Sequence, residues 1–167
     1  GMEALDPNYV DVDYGPLTVS GKTAVSGFKK ITLDKFGLPE MITVKDRKVT
    51  GGPVELVIKG EKGPIPAGAS ECRLSQTGKS AAEGTAKFDA GGIGVEVKSQ
   101  FEFDFTVRYL ITLTPKSPVT LKNVSLVFPM KLDGEKLCMY YMEEPDKLMS
   151  GVEAQNRRVY KTIKPQE

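Results

Sequence analysis

The sequence contains no histidine and no tryptophan. Without imidazole there is no Ser-His-Asp or Cys-His nucleophile system and no zinc site that needs a histidine ligand, which removes much hydrolytic chemistry. Without tryptophan the chain lacks the strongest stacking side chain for a sugar ring, an argument against a dedicated carbohydrate-binding module. Cysteine is scarce: Cys72 and Cys138 allow one disulfide without requiring it, and suit two buried thiols equally well. Neither sign of charge dominates, 23 basic residues standing against 22 acidic ones without a basic stripe, so nucleic acid is not an expected partner. The longest apolar stretches, such as Val124 to Phe128, fall far short of the ~20 residues that span a bilayer, and no membrane insertion is expected. No resident cofactor or metal is expected either. Two stretches imitate a phosphate loop, but Gly15 to Thr23 has five residues between its glycines where the motif needs four, and Arg73 to Ser80 lacks the first glycine.

What the chain does have is a long period of two. From Ile93 to Leu113 the apolar residues Ile93, Val95, Val97, Phe101, Phe103, Phe105, Val107, Tyr109, Ile111 and Leu113 share one parity. The other parity is polar, with Leu110 the exception. Side chains alternate across a strand, so this is one buried and one wet face of an antiparallel sheet. At about 3.3 Å per residue the run would stretch roughly 70 Å as one strand, so it has to break, and the break is expected near Asp104.

The remaining chain reads as short strands between Gly, Pro and Asp turns. Strands are expected around Leu17 and Val19, over Val25 to Leu33 and Met41 to Val44, at Val54 to Ile58, Glu71 to Leu74 and Lys87 to Asp89. Turns are expected at Asp34 to Gly37 and at Asp46-Arg47-Lys48, a loop over Gly60 to Gly68, and an exposed, mobile hairpin end over Ser75 to Gly84. A strand at Val119 to Phe128 changes parity at Lys122-Asn123, which predicts a β-bulge. Asp133-Gly134 turns the chain into a last strong strand, Leu137 to Met142; weak helical potential follows at Asp146 to Ala154, and Val159 with Ile163 suggests an edge strand. The fold class is all-β, an antiparallel β-sandwich with little helix. Residues 1–13 read as a leader that lies along the domain or is mobile, and 14–167 as a single domain. Gly1 before Met2 reads as a tag-cleavage scar, and Thr162 to Glu167 ends in polar residues with no obvious stop, so an excised segment is expected. Asp11 and Asp13 suit calcium by type, but their spacing does not continue into a binding loop.

Two carboxylate pairs could do general acid and base work, Glu102 with Asp104 and Glu143 with Glu144. Glu102 and Asp104 project from one sheet face if the strand is continuous there, and a hydrolase would need their carboxyls roughly 5–9.5 Å apart in a cleft. Solvated polar faces have the same pattern, and no catalytic residue is assigned. For a glycan, the candidate contacts are Tyr141, Asp104, Arg108 and Glu102: an aromatic face for the ring, with charged groups for its hydroxyls.

Three stretches together resemble the β-sandwich domain of large multidomain bacterial glycoside hydrolase-like proteins. They are GLPEMI at Gly37 to Ile42 with GGPVELVI at Gly51 to Ile58, FEFDFTVRYLITLTP at Phe101 to Pro115, and VTLKNVSLVFPMK at Val119 to Lys131. The family usually has Gly after the Asp of the acidic-aromatic segment, where this chain has Phe105, a departure that argues against a tight turn at Asp104. The resemblance implies a supersandwich of the galactose mutarotase-like kind lying ahead of a separate catalytic barrel, in a periplasmic or extracellular parent protein. The expected role is non-catalytic: a domain that packs against and orients the catalytic domain, with other domains of the parent chain as partners and a glycan as a further candidate. The alternatives are a stand-alone carbohydrate-binding or adhesion module and a small hydrolase using paired carboxylates.

Overall fold

A computed structural model of the chain describes residues 6–10, 12, 15–131, 138–139 and 161–162, the last two pairs as backbone. The chain forms two compact units, Gly1–Lys131 and Leu132–Glu167. Among the described residues every regular element is a β-strand.

In the first unit a five-stranded meander leads. It runs through β1 (Thr18–Ser20), β2 (Thr23–Ser26), β3 (Lys29–Leu33), β4 (Pro39–Val44) and β5 (Arg47–Lys48), each antiparallel to the last. Two of the sequence expectations change here. Val25 to Leu33 is two strands, because Gly27 takes φ +54° and, with Phe28, forms a two-residue hairpin loop between the paired Ser26 and Lys29. The apolar Phe28 after that glycine hides the turn in the sequence. The next turn lies one residue earlier than Asp46-Arg47-Lys48: Lys45 and Asp46 form it with φ +48° and +61°, and Arg47 and Lys48 belong to β5.

A second sheet has the order β11-β10-β9-β8, built from β8 (Glu71–Gln76), β9 (Ala81–Ala90), β10 (Ile93–Glu102) and β11 (Val107–Pro115). The long period-two run is thus a hairpin, broken at residues 103–106 as its length demands. Its parity survives the turn because the register sets Ile93 opposite Pro115 and Phe101 opposite Val107, odd residue against odd residue throughout. A third sheet, β12-β6-β7, contains β6 (Glu55–Gly60), β7 (Gly63–Pro64) and β12 (Leu121–Val127). The expected bulge is there, as a register shift between Leu121 and Asn123. The expected loop over Gly60 to Gly68 contains β7, which pairs with the end of β6.

Ser75 to Gly84 is not a mobile end. β8 continues to Gln76, β9 begins at Ala81, and Ala82, Gly84 and Ala86 face the interior. These positions read as polar and flexible because they are small, and small is what the packing needs there. A Cβ on Gly84 would collide with the Ser99 Oγ and come 3.1 Å from the Leu33 Cδ1.

The inner face of the four-stranded sheet serves both of the other sheets, which gives a sandwich-like architecture. One core cluster joins Leu17, Ala24, Ile31 and Leu33 of the meander region to Cys72, Leu74, Ala82, Ala86 and Phe101. The other joins Val54 and Ile58 to Ala90, Ile93, Val95 and Val97, with Leu56, Leu121 and Leu126 packed against it. Phe101, Leu17, Leu33 and Ile93 are fully buried, and each such side chain contributes about 1.5–3 kcal/mol. Part of the leader is tied down: the Ser80 backbone N–H donates to the Pro7 carbonyl at 2.8 Å, and the Tyr9 ring meets Phe103 edge-on at 5.7 Å.

In the second unit β13 (Cys138–Met139) pairs antiparallel with β14 (Lys161–Thr162). They fall within the expected last strand and within the edge strand expected from Val159 to Ile163. The Asp133-Gly134 turn, the helical potential at 146–154 and the acids Asp11 and Asp13 lie outside the described residues.

Candidate functional site

Of the sequence candidates, Glu102 ends β10, Asp104 lies in the β10–β11 turn and Arg108 is the second residue of β11. The Glu102 N–H donates to the Thr106 carbonyl at 3.1 Å, while the Phe105 N–H donates to the Glu102 carbonyl at 2.9 Å. That closes a tight turn at Asp104 after all, contrary to the expectation from the missing glycine. Phe105 itself takes φ +66° and packs against the first core cluster, so burial of its ring offsets a backbone conformation that glycine would adopt freely.

The Asp104 carboxylate works within this turn. Its Oδ1 accepts the Thr106 N–H at 2.7 Å and its Oδ2 accepts the Thr106 hydroxyl at 3.0 Å. The tip is docked on the meander: the Lys29 Nζ donates to the Asp104 carbonyl at 2.8 Å, and the Ser26 hydroxyl donates to the Phe103 carbonyl. Because the strand stops at Glu102, the condition for Glu102 and Asp104 to share one continuous strand face is not met. Arg108 stands opposite Gln100 on the wet face. There Gln100 reaches Glu83 at 3.3 Å, and Glu96 pairs with Lys87 at 3.1 Å and Lys98 at 3.7 Å. Leu110, the exception in the polar parity, lies on this face 56% exposed. Tyr141, the aromatic candidate, lies outside the described residues, as do Tyr140, Glu143 and Glu144.

A second polar group lies between the layers, and sequence reasoning missed it. The Asp34 Oδ1 accepts the N–H groups of Phe36 at 2.8 Å and Leu38 at 3.0 Å, shaping the turn whose Gly37, at φ +78°, approaches Ala86 and Val97. Burial pushes the Asp34 carboxyl up, against those two hydrogen bonds, and Glu40 pushes the same way. Cys72, a free buried thiol, is raised by burial and by the negative charge of Asp34, while Lys22 opposes both shifts. The Tyr109 phenol is raised far above its ordinary range by burial first, then by Cys72 and Asp34, and its hydroxyl has no hydrogen-bond partner among the described residues. The signal for Asp34 is in the sequence, an Asp three residues before a Gly in a polar turn; its electrostatic influence on Cys72 and Tyr109 is tertiary. Among the described residues, no three acidic or cysteine side chains come together as a metal site.

These arrangements hold a turn and fill an interior. The family model for glycoside hydrolase 123, third domain, matches residues 17–154. No curated protein and no solved structure matches the chain significantly.

Proposed function

Because the chain belongs to the glycoside hydrolase 123 third-domain family, we propose that it is the accessory, non-catalytic β-sandwich domain of a glycan-degrading protein. It packs against and orients a separate catalytic domain of the same polypeptide. The observation that carries this is the family match, which agrees with the resemblance of the three stretches at 37–58, 101–115 and 119–131. It also runs from the first unit into the second, which supports reading 14–167 as one family domain. The occupied Asp104 carboxylate adds support, since a general acid or base has to be within reach of substrate and Asp104 is committed to Thr106. The same reading carries the location that the resemblance implies, a parent protein in the periplasm or outside the cell.

The test is deletion. A parent protein without this domain is expected to lose kcat or thermal stability, and the isolated chain is expected to hydrolyse no glycan on a broad panel. Binding of a glycan by the isolated chain without turnover, lost on Tyr141→Ala, would instead make it a carbohydrate-binding module.

A further inference from the structure

Residues 6–9 form an ordered turn that lies across two hairpin ends. The Tyr9 N–H donates to the Asp6 carbonyl at 3.0 Å, and the Asp6 carboxylate accepts the Asn8 N–H at 2.9 Å. On one side the turn meets the β8–β9 connection, residues 77–80, where the Ser80 N–H donates to the Pro7 carbonyl at 2.8 Å. On the other it meets the β10–β11 turn, residues 103–106, where the Tyr9 ring stands edge-on to Phe103 at 5.7 Å. Ala81 and Glu102 are register partners, so both hairpin ends lie at one end of the sheet.

Gly78 is fitted to this contact. It is not among the glycines with positive φ, so its backbone does not demand glycine. A Cβ there would collide with the Pro7 carbonyl oxygen and come 2.8 Å from its carbon. Each hairpin end also has its own anchors. The Leu17 N–H donates to the Lys79 carbonyl at 2.9 Å, and the Gln76 Nε2 donates to the Leu17 and Gly78 carbonyls at 2.9 and 3.0 Å. Ser26 and Lys29 hold the Phe103 and Asp104 carbonyls. The 6–9 turn itself is held lightly: Asp6 to Val10 are all exposed, and among the described residues one backbone hydrogen bond and one ring contact attach them. A segment with so few buried contacts opens at a small fraction of the free energy of the strands it lies on.

We propose that residues 6–9 are a latch. Docked, they fasten the 77–80 connection and the 103–106 turn to each other; released, they loosen both, including the end of the sheet that carries Glu102 and Asp104. The latch lies ahead of residues 17–154, which the family model matches, and the proposal does not depend on the accessory-domain reading.

The test is residue-resolved amide hydrogen exchange on the full chain and on the chain lacking residues 1–10. Removing the leader is expected to speed the Ser80 amide about tenfold, as loss of one backbone hydrogen bond would, and the Phe105 and Thr106 amides at least about threefold. The amides of Val95 to Ser99 in β10 are expected to stay unchanged. Gly78→Ala in the full chain is expected to give the same pattern, its methyl displacing Pro7, and to add nothing once residues 1–10 are gone. Tyr9→Ala is expected to speed Ser80 as well as Phe105, because the two attachments hold one turn. An unchanged Ser80 rate in the shortened chain overturns the proposal, and so does a faster Ser80 with Phe105 and Thr106 unchanged. Faster exchange throughout β10 overturns it too, since the leader would then be part of the core and not a latch.

Discussion

Asp34 shows how one side chain can be both a structural fixture and a burden. Its carboxylate holds the Phe36 and Leu38 N–H groups, and its burial raises its pKa. A carboxyl with a raised folded-state pKa binds its proton more tightly in the folded state, so its stabilising effect is full below the ordinary value of 3.8 and is lost as pH rises through the raised one. Asn keeps an acceptor oxygen without the charge. Asp34→Asn is therefore expected to keep the turn and flatten the fall in stability from pH 3.8 upward, read by denaturant midpoints at several pH values. Asp34→Ala orphans two N–H groups and is expected to cost about 1–3 kcal/mol. Gly84 is the steric counterpart. A methyl there meets Ser99 and Leu33, and Gly84→Ala is expected to lower stability by about 1–3 kcal/mol through overpacking, although alanine is otherwise acceptable in a strand.

Among the elements, the Lys45-Asp46 turn is the one most open to improvement. Both central residues have positive φ, the geometry that favours Asn-Gly, so Asp46→Gly is expected to raise stability by about 0.5–1 kcal/mol, seen as a higher melting temperature. The contrast between β10 and β9 shows why some elements were legible in the sequence and others were not. Along β10, Ile93, Val95, Val97 and Phe101 are large and alternate with polar residues, so period and burial coincide. Along β9 the inward residues are Ala82, Gly84 and Ala86, whose sizes match facing groups that are distant in sequence, so no local signal separates them from a flexible loop. The bulge at Lys122-Asn123 was legible because a parity change is local. The break near Asp104 was legible from the length of the run, but its tight closure was not, because the backbone cost at Phe105 is offset by tertiary packing. At the candidate site, the commitment of Asp104 to Thr106 and the electrostatic influence of Asp34 on Cys72 and Tyr109 needed the fold.

On the proposed accessory reading, the function of the whole molecule lies in what the domain does for its neighbours. The three sheets of its first unit are tied into one sandwich-like body by a shared inner face, and the Asp104 carboxylate of the candidate site is spent on its own turn. Membership of the glycoside hydrolase 123 third-domain family gives that body its context. The most direct test of the accessory assignment is to follow hydrolysis of one glycan panel by the isolated chain, the parent protein and the parent lacking this domain. The expected result is no turnover from the isolated chain, with activity or stability of the parent falling when the domain is removed. Turnover by the isolated chain that disappears in Glu102→Gln would contradict the account and make this domain an enzyme in its own right.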